Sequence, residues 1–70
     1  MKHPDVSEFS RRLHNIRRSK NIKQSELAEK AEVNPSLISW YETGRVEPGL
    51  FTIGKLCTAL DVTASELLGF

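Results

Sequence analysis

Three residues, Glu32-Val33-Asn34, separate two segments that both read as helix, and no other feature restricts the fold of the chain so strongly. Gln24 to Ala31 is rich in good helix formers, with Leu27, Ala28 and Ala31 as its apolar stripe. Asn34-Pro35 then signals a second start, because Asn is a favoured N-cap and Pro is favoured at the first helical position. Ile38 and Tyr41 fall on the inner face of that helix, and Gly44 is a natural stop. So short a connection forces the two helices to cross steeply.

The remaining segments also follow helical spacing. Val6, Phe9, Leu13 and Ile16 mark one face of a helix from about Ser7 to Lys20, with Ser7 as N-cap, Glu8 in the first turn and Asn21 as a left-handed stop. Arg45 to Gly49 is a loop. A helix from Leu50 to Leu60 places Ile53, Leu56, Cys57 and Leu60 at core spacing, weakened slightly by Gly54. Thr63 and Glu66 form a capping-box pattern that starts a short fifth helix carrying Leu67 and Leu68. No stretch alternates with period two. The expectation is an all-α, compact five-helix fold, one domain over residues 1–70, with 1–6 as a flexible arm.

Composition removes several classes of function. A chain of 70 residues has room for one small domain, and its single cysteine excludes an internal disulfide. His3, His14 and Cys57 have no metal-ligand spacing and no nucleophile arrangement, and neither a paired-carboxylate site nor a phosphate loop is present. His3 is assigned to the arm, His14 to a helix surface and Cys57 to the core. We expect no enzyme, metal, cofactor or small-molecule ligand. A lone thiol suits a reducing cytoplasm. No apolar run is long enough for a membrane span, and no apolar segment follows Lys2 as a signal peptide requires.

The net charge of +1 conceals polarity along the chain. Residues 1–23 hold seven basic groups against two acidic ones, a balance of +5, and residues 24–70 carry three against seven, a balance of −4. Such a chain can present a basic face while staying near neutral overall.

An ordered set of residues then resembles the Cro-like helix-turn-helix family, the DNA-binding fold of lambdoid phage repressors, Cro proteins and many bacterial regulators. The set comprises Leu13, Ile16, Arg17, Ile22, Gln24-x-x-Leu27-Ala28-x-Lys30-Ala31-x-Val33 and Ser36-x-Ile38-Ser39-x-x-Glu42-x-Gly44-Arg45. It continues through Pro48, Lys55-Leu56, Ala59-Leu60-x-Val62 and Leu67-Leu68. The resemblance implies a lambda-repressor-like domain whose helix-turn-helix spans about 24–43. Helix 34–43 would lie in the major groove of double-stranded DNA, where base edges are distinguishable.

On that reading Asn34, Pro35, Ser36, Ser39 and Trp40 are the candidate groove contacts, while Lys23, Gln24 and Arg45 are the candidate phosphate contacts. Arg17 and Glu42 match a family ion pair that clamps the first helix against the third. Four positions depart from the pattern. Glu32 stands where glycine is usual, Lys23 replaces a Ser or Thr cap, Trp40 stands where a basic residue is frequent, and Phe51 stands where a charged one is frequent. Phe51 has two open readings: simple packing, or part of an apolar contact with Leu67 and Phe70 for a second subunit. The resemblance implies a cytoplasmic transcriptional regulator of bacterial or phage origin, a repressor acting as a homodimer. The rival readings are a protein-interaction module or an antitoxin that keeps the fold with weak DNA reading.

Overall fold

The computed structural model describes residues 8–70, which fold as five helices with no strand among them. The helices are α1 (Glu8–Ser19), α2 (Gln24–Ala31), α3 (Pro35–Thr43), α4 (Leu50–Leu60) and α5 (Ala64–Leu68). The expectations for the arm at 1–6, for His3, for Val6 and for the Ser7 cap lie outside the described residues.

Four of the helices end by one device. Asn21, Glu32, Gly44 and Asp61 all have φ between 57° and 79°. In each case the next residue returns its N–H to a carbonyl five positions earlier: Ile22 to Arg17, Val33 to Ala28, Arg45 to Trp40 and Val62 to Cys57. This is the six-to-one bond of the Schellman motif, which needs a left-handed residue to turn the chain back. Ile22, Val33 and Val62 then pack partly buried against the core. Only Gly44 is free of steric cost there; Asn21, Glu32 and Asp61 carry a Cβ in a conformation that disfavours one.

The starts differ from one another. The Asn34 side chain accepts the Ser36 N–H at 2.8 Å, with Pro35 at the first helical position. Thr63 accepts from the Glu66 N–H at 3.1 Å while the Glu66 carboxylate takes the Thr63 N–H at 2.8 Å, a complete reciprocal box. At α2 half of that box survives. Lys23 has no side-chain acceptor, but the Glu26 carboxylate takes the Lys23 N–H at 2.9 Å, so the replaced cap is partly made good.

All five helices feed one core: Leu13 from α1, Leu27, Ala28 and Ala31 from α2, Ile38 and Tyr41 from α3, Leu56 and Leu60 from α4, and Leu67 from α5. α3 packs against α1 and α2, while α4 packs against α2 and α5. α3 is therefore held chiefly by α1 and α2.

Two assignments change. Leu67 was grouped with a subunit contact, yet it is wholly buried and belongs to the core. A five-residue helix buries one narrow stripe, and Leu67 supplies it while Leu68 is half-buried. Phe51 is 91% exposed, so its packing reading fails. Cys57 is half-buried at the edge of the core, and its thiol is pushed up by burial and by the nearby Glu66 charge.

Candidate nucleic-acid interface

α3 divides into two faces. Ile38, Tyr41 and Glu42 are buried. Pro35, Ser36, Trp40 and Thr43 are exposed and Ser39 is half-buried, so positions 36, 39, 40 and 43 form one outward stripe at steps of three and four. Its side chains are short apart from Trp40, which allows a close approach to a flat partner. The hydroxyl of Thr43 donates to the Ser39 carbonyl at 3.0 Å, so that group is turned back onto its own helix. The Asn34 side-chain oxygen is committed to its cap.

The inward face is fixed by an ionic node. Arg17 Nε donates to Glu42 Oε2 at 2.6 Å and Arg17 Nη2 to Glu42 Oε1 at 3.1 Å, a two-pronged pair between α1 and α3. Arg17 Nη1 also donates to the Ile22 carbonyl at 2.7 Å, which ties the α1–α2 turn to the same point. The two charged side chains keep only 9% and 3% of their surface. Gln24 Nε2 donates to Glu42 Oε1 at 3.1 Å, and His14 Nδ1 lies 2.9 Å from the same oxygen. Burial alone would raise the Glu42 carboxyl, but hydrogen bonds from Arg17, His14 and Gln24 and the Arg17 charge outweigh it and hold it below the ordinary value. A further tie is the Ser10 hydroxyl donating to the Tyr41 carbonyl at 2.6 Å.

α3 is held in place from two helices. α1 contributes Arg17, His14 and Ser10, and α2 contributes Gln24, which stands at its N-terminus and is half-buried. A buried ion pair is weak support for stability by itself, yet it tolerates few geometries and so fixes how the helices meet.

The whole arrangement, from Glu8 to Leu68, matches a helix-turn-helix domain model over residues 8–68. The chain belongs to the helix-turn-helix domain family, in its Cro-like form. Among curated proteins this helix-turn-helix chain is 34% identical over 61 residues to the HTH-type transcriptional activator BcrR of Enterococcus faecalis. That match takes in 87% of this chain and 30% of the relative, so the chain spans less than a third of that protein's length. Among solved structures it is similar to the restriction-modification controller protein C.AhdI from Aeromonas hydrophila, with a TM-score of 0.82 and 36% identity over 84% of this chain and 89% of that one. It is also similar to the clp gene regulator ClgR from C. glutamicum, with a TM-score of 0.81 and 30% identity over 86% and 78% of the two chains.

Within that helix-turn-helix frame, the eight residues read from the sequence as DNA contacts fall into three situations. Pro35, Ser36, Trp40 and Ser39 share the outward stripe of α3. Lys23 and Arg45 are exposed, and their side chains make no hydrogen bond among the described residues. Gln24 and Asn34 are engaged within the fold through Glu42 and Ser36. His14 was assigned to a helix surface, but its ring is drawn into the node by Glu42. The available signal was its place one turn before Arg17 on α1, which aims both residues at α3. Arg11 and Thr43, which border the same node, were not singled out.

Proposed function

We propose that the chain is a sequence-specific regulator of transcription that binds double-stranded DNA by laying α3 in the major groove. The observation that carries this reading is the two-faced α3, whose inner face is locked by the Arg17–Glu42 pair while its outer face presents Ser36, Ser39 and Trp40 to solvent. An α-helix fits the major groove, and a helix that reads base edges must be held at a fixed angle to do so.

In this reading Ser36 and Ser39 offer hydroxyls to base edges or phosphates, and Pro35 and Trp40 offer apolar surface to thymine methyl groups. Asn34 sets the start of the helix at the groove. Lys23 and Arg45 take phosphates from either side, and Gln24 spends one amide N–H on Glu42 and keeps the other for a phosphate oxygen. The names of BcrR, C.AhdI and ClgR, a transcriptional activator, a controller protein and a gene regulator, support a regulatory role. Repression as its direct effect rests on the resemblance to phage repressors and Cro proteins alone.

The active form is a homodimer. Leu50, Phe51 and Phe70 leave between 83% and 91% of their surface in water, an arrangement a lone small domain gains nothing from. With Leu67 withdrawn into the core, Leu50 takes its place among the contact residues. Selection of bound sequences from a random duplex pool tests the proposal. It should return an inverted repeat with half-sites about one DNA turn, roughly 34 Å, apart. Recovery of no enriched sequence would overturn sequence-specific reading.

A further inference from the structure

We propose that His14 is a proton-gated phosphate contact, so that protonation of its outer ring nitrogen tightens the hold on DNA. The proposal rests on the DNA-binding reading above and adds a residue and a pH response to it. An open groove of about 300 Å³ lies where α1, the start of α2 and the end of α3 meet, lined by Arg11, His14, Gln24, Glu42 and Thr43. It sits beside the outward stripe of α3 through Thr43 and beside Lys23 through Gln24, on the surface that the proposed complex turns toward the backbone of DNA.

The geometry fixes which nitrogen carries the switch. Glu42 is buried and held ionised by Arg17, so its oxygens only accept hydrogen bonds. His14 Nδ1, 2.9 Å from Glu42 Oε1, must therefore carry a proton in either charge state of the ring. Arg17 Nη2 stands 3.4 Å from the same Nδ1, and since both atoms bear hydrogen that contact is a crowding one, not a hydrogen bond. Nε2 has no partner among the described residues, and 43% of the His14 side chain is open to solvent. In the neutral ring Nε2 presents a lone pair, which repels a phosphate oxygen. In the cationic ring it presents an N–H, which forms a charge-assisted bond with that oxygen.

The surrounding charges favour an anion at this point. Arg17 and Arg11 face the ring from α1, Gln24 from α2, and Glu42 and Thr43 from α3. Arg17 and Glu42 neutralise each other, which leaves Arg11 as the net charge of the groove and a second cation once His14 is protonated. DNA binding then takes up a proton at each His14. Affinity therefore rises on acidification.

The test measures binding of the full chain and of His14→Gln to a mixed-sequence duplex of about 20 base pairs at about 50 mM salt, once at about pH 8 and once at about pH 5.5. Gln keeps a donor for Glu42 and has no titration. Wild type should gain at least about fivefold more affinity on acidification than His14→Gln. Its salt dependence should also steepen at the lower pH by about one unit of log–log slope per chain. An equal gain in both proteins overturns the proposal while leaving DNA binding intact. If the variant does not fold, an unchanged wild-type salt slope between the two pH values overturns it instead. Failure of wild type to bind at either pH removes the DNA reading itself, and this inference with it.

Discussion

The seam between α1 and α3 buries an arginine and a glutamate, whereas the start of α4 and the residues that follow α5 leave Leu50, Phe51 and Phe70 almost wholly in water. Both regions invert the usual placement of polar and apolar groups, in opposite senses. At the seam the inversion is complete within the fold, because Arg17 finds Glu42 and the Ile22 carbonyl, and Glu42 also receives Gln24 and His14. At the apolar end nothing within the described residues covers the side chains. The contrast separates two kinds of departure from the burial rule. One is satisfied internally and positions a helix; the other is left uncovered by the described residues and is the ground of the proposed dimer contact.

Breaking the seam should have the largest effect. Glu42→Gln removes one partner of a buried pair and strands the Arg17 charge, which costs about 3 to 5 kcal/mol. A thermal melt should register this as a fall of more than about 10 °C. The same carboxyl predicts an acid response. Its folded pKa lies below the ordinary carboxylate value of 4.5, so its stabilisation is fully present above that value and is lost as pH falls through the lower folded one. Glu42→Gln should lack this part of the acid unfolding curve, which a pH series of melts checks.

The apolar end sharpens the comparison through a pair of substitutions. Leu67→Ala opens a cavity in the core and should cost about 2 to 5 kcal/mol in chemical denaturation. Phe51→Ala, two positions into α4 and exposed, should leave monomer stability within about 0.5 kcal/mol. Its effect should appear in sedimentation, as a shift from dimer toward monomer at a concentration where wild type is associated. Equal stability losses in the two variants would make Phe51 a core residue after all.

The smallest effect lies in the turn between α2 and α3. Glu32 has φ of 58°, and Glu32→Gly should raise stability by up to about 1 kcal/mol by removing a Cβ from a left-handed position. A denaturant midpoint that moves down would show that the glutamate side chain contributes more than its strain costs.

Much of the fold was legible because its signals are local. Asn34-Pro35, Thr63 with Glu66, and Gly44 each act within one turn of themselves, and the five helices follow from them. The Arg17–Glu42 pair was reached through the family pattern, since nothing in the sequence between two positions 25 apart ties them together. His14 was missed for the same physical reason: its partner comes from another helix 28 positions away. Asp61 gave no stop signal, because only the chain reversal before Val62 makes it left-handed. Leu67 and Leu68 are adjacent on one helical turn, and only the packing of α5 on α1 and α4 decides which of them enters the core. Lys23 looked like a lost cap because its compensation is the carboxylate of Glu26 and not its own side chain.

In the proposed complex a near-neutral chain with a net charge of +1 binds DNA through the exposed basic residues Lys23, Arg45 and Arg11. A salt titration of wild type on duplex DNA tests it most directly. Log affinity should fall linearly with log salt, with a slope of about −0.9 for every phosphate neutralised. An absence of binding at about 50 mM salt, or an affinity that does not change as salt is raised, would contradict the account.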